Sequence, residues 1–544
     1  MKVLILGGVA AGTKTAAKLK RMQFDSEVTI LTKDADISYA GCGLPYYVGD
    51  VIQSKDQIIV NTPEKFEALT GAKVLTGREA IGLDAEAKQV TVKNLQEGTE
   101  SVLSYDACVI ATGASSIVPP MKGTDLQGVF TMRTPDNADQ LKKYIKTHEV
   151  KKAVIAGGGF IGLEIAENLK EEGVDVTVID MAPAIMPGFD KELSLYAQKH
   201  LEKVGIPVLT ATKMEEITGD THATGVKTDK GLLEADVVVL SLGIRPNTAF
   251  LKDSGLEFAK NGAILVDRSL RTALPHVYAA GDCAVVSNLQ TGESAWAPMG
   301  SSANMEGRLL AEIIAGAEKT FPGVLLTAVV KMPGLNAART GLNEDAAKEA
   351  GYEIETVVTV NDDKAHYYPG ADNFVTKLIA DKKTHKLLGV QVLGPGAVDK
   401  MVDIGVTAIT LGATLEQLEN MDLAYAPPFS TAIHPFVGAV NIMLNKLEGR
   451  LDTMTPAEYL ENKGEGYRVI DVSLQPALPN AMFVDVAKVN GPLEGVDKAE
   501  KLLLICTKGK RSYLLQQRLK HFGYTNTKVL EAALWINDAP VKGN

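Results

Sequence analysis

Residues 151–180 read KKAVIAGGGFIGLEIAENLKEEGVDVTVID. An apolar, β-rich run breaks at Gly157-Gly158-Gly159, and Phe160-Ile161-Gly162 open a helical pattern. A second β-rich run then ends at Asp180. Strand, glycine turn, helix and strand make a βαβ unit whose helix N-terminus offers unpaired N–H groups to a pyrophosphate. Gly157, Gly159 and Gly162 are its turn glycines, and Asp180 falls 18 residues after the last of them. An acid there accepts hydrogen bonds from a ribose 2′-OH and repels a 2′-phosphate. No arginine follows in Met181-Ala182-Pro183. The reading is NADH rather than NADPH.

The same pattern stands at the N-terminus, less cleanly. KVLILGGVAAG (residues 2–12) runs from a strand into a turn at Gly7 and Gly8 and on to Gly12, with Val9 where a further turn glycine would sit. The helical TKTAAKLKRMQ and the strand EVTILT complete the unit. YDACVIATGA (105–114) and VYAAGDCA (277–284) extend the frame, so one unit would take a flavin and the other a nicotinamide.

Composition narrows the class. The chain has 544 residues, enough for three or four domains at about 150 residues each. A net charge of -11 argues against nucleic acid, which favours basic surfaces. No apolar run is long enough for a membrane helix, and MKVLILGGVAAG passes into a patterned helix, so it reads as structure rather than a signal peptide. The four cysteines, at 42, 108, 283 and 506, are too scattered for a disulfide framework and lack CxxC spacing, so no metal site is expected. These features predict a cytoplasmic, reducing setting.

The combined motifs resemble the flavoprotein disulfide reductases over residues 1 to about 450. The resemblance makes Ala111-Thr112-Gly113 and Gly281-Asp282 the flavin-domain signatures, with Asp282 on the ribityl chain of FAD. It implies FAD contacts also from Gly7, Gly8, Ala11, Gly12 and Gly243. The family's usual acid for the adenosine ribose is replaced by Thr32, followed by Lys33 and Asp34.

SYAGCGLPYY (38–47) carries the decisive departure. Most such reductases have CxxxxC here, whereas Cys42 plus five is Tyr47. Within the family a lone cysteine either cycles through a sulfenic acid, as in oxidases and peroxidases, or forms a mixed disulfide with a substrate thiol, as in coenzyme A-disulfide reductases. The Leu-Pro-Tyr-Tyr tail resembles the second branch, and Ala10 and Ala11 stand where the peroxidases place a histidine. Gly41 and Gly43 would let the backbone approach a flat ring, and a helix opening at Cys42 would lower its pKa. KAHYYPGADN (364–373) and DLAYAPPFSTA (422–432) match the same branch, implying that Tyr367 (or Tyr368) and Tyr425 reach the cysteine pocket of a partner subunit in a homodimer. A phenol there would be a general acid. Ser38 is implied in substrate binding; Lys18 and Arg21 either hold coenzyme A phosphates or form a solvated helix face. His434, in IHPF, lacks the orienting glutamate of the two-cysteine enzymes, since position 439 is Ala439, and reads as structural or auxiliary.

After Gly449 a new pattern begins. CTKGKR (506–511) follows the strand KLLLIC and opens a helix. It resembles the six-residue active loop of rhodanese sulfurtransferases, C-x4-R, with Cys506 as nucleophile and Arg511 favouring anionic sulfur. The usual acid-arginine pair after Val472 is absent and the segment is short, so a trimmed domain is expected. The expected architecture is α/β: a FAD-binding domain (1–113 and 240–320), an NAD-binding domain (114–239), an α+β dimerisation domain (321–450) and a rhodanese-like α/β domain (451–544). The expected activity is NADH-dependent reduction of coenzyme A disulfide, coenzyme A persulfide or polysulfide, with coenzyme A as substrate or bound thiol. The alternatives are an NADH oxidase or peroxidase, or a redox-responsive flavoprotein whose tail binds a protein.

Overall fold

The computed structural model describes residues 1–532 and 535, and the chain divides into two compact units: 1–183 with 206–324, and 184–205 with 325–544. The expected rhodanese-like segment 451–544 therefore extends past the described residues at 533–534 and 536–544.

The first unit holds two five-stranded parallel sheets of the same design. In one, the strands run in the order Val277–Ala279, Ala107–Ile110, Lys2–Leu6, Glu27–Leu31, Lys73–Leu75. In the other, the order is Val208–Leu209, Asp175–Ile179, Lys152–Ala156, Val237–Leu240, Val129–Thr131. Their central strands are buried at nearly every position, which is why KVLIL and VVVL read as continuous apolar runs rather than as alternations. Each sheet is accompanied by a three-stranded antiparallel meander, Arg78–Asp84 to Glu100–Ser104 and Met214–Thr218 to Gly231–Glu234.

Three helices position the site: α1 (Ala10–Met22), α2 (Phe160–Glu171) and α3 (Gly300–Ile314). The two glycine turns share one construction. Gly7 has φ +118° and Gly157 φ +115°, and a Cβ on either would stand 2.0 Å from the Ala111 carbonyl oxygen or 2.2 Å from that of Ser241. Any side chain would drive the turn off the neighbouring strand end. The α1–α3 crossing is equally close: a Cβ on Gly307 would lie 2.4 Å from Ala11 O, and Thr15 donates to Gly307 O at 3.1 Å.

The second unit is built on a five-stranded antiparallel sheet in the order Ala328–Met332, Leu335–Gly341, Leu387–Gly394, Asn373–Asp381, Ile354–Asp362, with the helix α4 (Pro435–Leu447) packed on it. A second, parallel sheet follows, ordered Thr453–Met454, Thr527–Leu530, Leu502–Ile505, Arg468–Asp471, Met482–Phe483, with α5 (Lys510–His521) across it. Glu531 joins the two: it accepts from Val358 N at 2.8 Å, Lys446 Nζ at 2.9 Å and Thr453 Oγ1 at 2.6 Å.

Ala184–Gly205 falls within the range expected for one NAD-binding domain, yet it packs with the second unit. The cause is a buried charge. Lys377, 1% exposed, needs counter-charges and finds them in Asp190 at 2.9 Å, Glu344 at 2.6 Å and Glu192.

Candidate active site

Both glycine turns present helix N-termini whose first turn carries no acid. α1 has Val9 at its N-cap and α2 has Gly159; neither has a side-chain cap or an acid in its first turn. A Cβ on Gly159 would meet nothing within 4 Å, so the space over this terminus is open. Asp180 is held beside it, accepting from Gly158 N and Ala182 N at 2.7 Å each. Its carboxylate is thus aimed by two backbone donors at the end of the strand Asp175–Ile179.

At the first turn, Thr32 is buried and its hydroxyl accepts from Asp34 N at 3.3 Å, while Lys33 is exposed. Burial raises the pKa of Asp34, against the pull of Lys33. Ala111 N donates to Leu6 O at 2.8 Å, Thr112 Oγ1 donates to Asn247 O at 2.8 Å, and Gly113 O accepts from Asn247 N at 2.9 Å. Gly243, at φ +96°, closes the matching turn after Val237–Leu240 and accepts from Ile117 N at 3.0 Å. Asp282 is ion-paired with Arg133, whose Nε donates to Ala114 O at 2.8 Å. Gly281 N donates to the carboxylate of Glu306 at 2.6 Å. Sequence alone signals neither Arg133 nor Glu306, because the turn they serve, Gly281-Asp282, is 149 residues from Arg133 and 25 from Glu306. These open helix ends, with polar side chains around the Gly281-Asp282 turn, fit FAD at the first turn and NADH at the second.

Cys42 sits in the 3₁₀ turn Gly41–Gly43 that leads into the short helix Leu44–Val48. Ser38 ties this segment to the first glycine turn, donating from its N–H to Gly8 O at 2.9 Å. It does so at φ +48°, a strained value for serine of the kind that collects at functional sites. A Cβ on Gly41 would meet nothing within 4 Å, which leaves the approach beside the thiol open. The expected lowering of the Cys42 pKa is not what the surroundings produce. Burial pushes the thiol up, and the carboxylates of Glu164 and Asp282 add to this, with only Arg133 opposing. The helix Leu44–Val48, five residues long, is too short for its dipole to outweigh burial and these charges. Tyr46 donates to Glu164 at 3.1 Å and Tyr47 to Asp139 at 3.0 Å, fixing the far side of the turn.

A cavity of about 310 Å³ opens at the start of this segment, lined among others by Lys14, Arg21, Ser38, Tyr39, Asn61 and Asn304. Arg21 and Ser38 therefore line one space. Lys18 does not; its ammonium faces Glu312 at 3.3 Å. Lys14 takes the position instead, and the signal was available, because a seven-residue interval from Arg21 returns to the same helix face more closely than Lys18 does.

In the second unit the structure brings Tyr367 and Tyr425 together. Their side chains are hydrogen-bonded, which raises the pKa of Tyr425, and both are exposed. Tyr425 is thus a phenol, a proton donor, at neutral pH. Tyr368 is less exposed than Tyr367. His434 is buried, caps α4 by accepting from Phe436 N at 3.2 Å through Nδ1, and burial with Lys400 nearby lowers its pKa to about 4. Cys506 is buried at the end of Leu502–Ile505. Arg511 is engaged elsewhere, donating to Val472 O at 2.7 Å and pairing with Asp485 at 3.2 Å, while Lys508 pairs with Asp362 at 2.6 Å. Cys108 and Cys283 are buried in the first unit. Among the described residues no group of three or more His, Cys, Asp or Glu is arranged for a metal ion, and no helix is long and apolar enough to cross a membrane.

Comparison with known proteins agrees with this geometry. A family model described as pyridine nucleotide-disulphide oxidoreductase matches residues 1–301, and the dimerisation domain of the same description matches 327–436. An NADH oxidase of Methanocaldococcus jannaschii is 35% identical over 451 residues, covering 83% of this chain and all of that one. An NAD(P)H coenzyme A polysulfide/persulfide reductase of Pyrococcus horikoshii is 34% identical, over 81% of this chain and 98% of its own. The solved NAD-dependent persulfide reductase from A. fulgidus superposes with a TM-score of 0.93 at 35% identity, covering 98% of this chain and 100% of that one.

Proposed function

The chain belongs to the pyridine nucleotide-disulphide oxidoreductases, and from that premise we propose that it is an NADH-dependent reductase of coenzyme A persulfide and coenzyme A disulfide, working through a mixed disulfide at Cys42. The observation that carries this reading is the cavity lined by Ser38 and Tyr39, which stand just before Cys42 in the chain. It offers two cations, Lys14 and Arg21, and the polar groups of Ser38, Tyr39 and Asn61, all within one space. That set suits a long thiol carrying phosphates, with its sulfur at the cysteine end and its anionic end against α1. The relatives' reported activities point to the same substrate class.

FAD, when bound at the first turn, relays the electron pair of the NADH hydride to sulfur. Everything else falls to the chain. Asp180 engages the nicotinamide nucleotide's ribose 2′-OH and disfavours a 2′-phosphate. The Cys42 thiolate attacks one sulfur of coenzyme A disulfide; the new S–S bond forms as the old one breaks, a coenzyme A thiolate leaves, and Cys42 carries a mixed disulfide. On coenzyme A persulfide the terminal sulfur is attacked, coenzyme A thiolate leaves, and Cys42 carries a persulfide. Two electrons then cleave that S–S bond, restoring the Cys42 thiolate and releasing coenzyme A thiolate in the first case and hydrosulfide in the second. For coenzyme A disulfide, one NADH and one proton yield two thiols, and the proton is donated by a phenol. Tyr367 and Tyr425 provide it from a partner subunit, in a homodimer formed through the dimerisation domain; Phe429 and Ile433, also exposed beside them in sequence, are apolar surface for that contact. The tail is a trimmed rhodanese-like domain whose Cys506 loads sulfane sulfur.

The test is Cys42→Ser. Flavin bleaching by NADH should persist while turnover of coenzyme A disulfide falls by 10³-fold or more, on the order expected for loss of a nucleophile. Intact mass of the wild-type protein should show a coenzyme A adduct that the variant lacks. The name of the M. jannaschii relative favours a second reading, an NADH oxidase; trapping of a Cys42 sulfenic acid during oxygen consumption, without any adduct, would select it.

A further inference from the structure

Glu306 is 2% exposed and sits where α3 crosses the first turn of α1. Its neighbour Gly307 backs directly onto Ala11, and its own carboxylate accepts from Gly281 N at 2.6 Å. It therefore lies between the first glycine turn and the Gly281-Asp282 turn. Asp282, adjacent in chain to its hydrogen-bond donor, carries a second carboxylate, and the nearby cation Arg133 is already committed to Asp282. The charges on α1 point elsewhere: Lys18 pairs with Glu312, Lys20 donates to Phe24 O and to Ser26 O at 2.9 Å, and Lys14 and Arg21 line the substrate cavity. No Glu306 ion pair occurs among the described residues. A buried carboxylate near a like charge resists ionisation; here burial, with Asp282 adding to it, outweighs the Gly281 N–H hydrogen bond that favours the carboxylate and pushes Glu306 up to about 7. The pyrophosphate of FAD, seated on α1, would add further negative charge to this place.

We propose that Glu306 is the proton-holding residue of the flavin site: FAD binding draws one solvent proton onto its carboxyl group, and the neutral acid is the form that coexists with the pyrophosphate. The inference rests on the FAD reading above. Glutamate at this position would make flavin retention sensitive to pH in the neutral range, a property that a glutamine of the same shape would not confer. Glu306 touches Gly281 rather than the reacting atoms, so it is a positioning residue.

The experiment strips FAD from the full-length protein and rebinds it at pH 6, 7 and 8.5. Flavin fluorescence gives the Kd, and an indicator dye in weak buffer gives the protons taken up. The wild type should take up close to one proton per FAD at pH 8.5, and its Kd should rise about tenfold per pH unit above neutrality, the slope of one linked proton. Glu306→Gln should bind FAD with little pH dependence and no uptake. Wild-type binding without proton uptake overturns the proposal, even if the glutamine variant fails to fold. Uptake that persists in a folded Glu306→Gln protein overturns it too. A full-length protein that binds no FAD at any pH would instead remove the flavin reading and this inference with it.

Discussion

At the scale of single residues, the chemistry turns on how Cys42 is held. Its glycines leave the thiol accessible, but Glu164 and Asp282 oppose its ionisation, so the resting side chain is a thiol whose activation depends on what binds beside it. Because the folded pKa lies above the ordinary value, thiolate chemistry at Cys42 gains as pH rises and is weak at neutrality. Removing one opposing charge should move this. In Glu164→Gln, alkylation of Cys42 by iodoacetamide at pH 7 is expected to quicken severalfold, with its pH profile displaced toward lower pH. An unchanged profile would assign the effect to burial alone. The sequence located this cysteine and the absence of a second one, since both are local facts. It could not locate Glu164, which is 122 residues away in the chain and reaches the site through α2.

At the scale of elements, legibility follows contiguity. The two βαβ units were readable because strand, turn, helix and strand are consecutive and their glycines are demanded by backbone contacts that no side chain would allow. Helix faces were read less well: Lys18 and Lys14 share α1, and only packing against α3 decides that Lys18 meets Glu312. The attachment of Ala184–Gly205 was not readable at all, because it depends on Lys377, almost 190 residues further on. His434 shows a motif reduced to local structure. Its Nδ1 can cap α4 only while unprotonated, and its pKa falls from 6.5 to about 4 on folding. A depressed histidine pKa gives stability that is complete above pH 6.5 and is lost as pH falls through 6.5 towards 4. The shift corresponds to roughly 3 kcal/mol at most. His434→Asn keeps a capping oxygen without the titration. Its Tm is expected to fall less than that of the wild type between pH 6.5 and 4.5, and equal losses in both proteins would exclude His434 as the cause.

At the scale of the whole molecule, the question is whether the tail takes part in sulfur chemistry. It has its own parallel sheet and core, with Ile470, Leu502, Leu504, Leu515 and Leu519 fully buried, and Glu531 fastens it to the antiparallel sheet of the same unit. Such fastening holds Cys506 in a stable position but does not by itself make it reactive. Cys506 is buried, and Arg511 directs Nε to Val472 O and Nη2 to Asp485, so an anion in the loop competes with an internal acid for that side chain. What remains favourable is the N-terminus of α5, which opens at Lys510 within the loop, without a side-chain cap or an acid in its first turn. Cys506→Ser separates the possibilities. Serine fits the same turn, so reduction of preformed coenzyme A disulfide should stay within about twofold of the wild type. Turnover of a sulfane donor such as thiosulfate or polysulfide, in the presence of coenzyme A, should fall by about tenfold or more, the scale of losing a nucleophile that has a slower bypass. Equal losses with both substrates would mean that the substitution disturbs the shared unit. No loss with either would leave the tail as a structural extension, and sulfur would then reach Cys42 only as coenzyme A persulfide formed elsewhere.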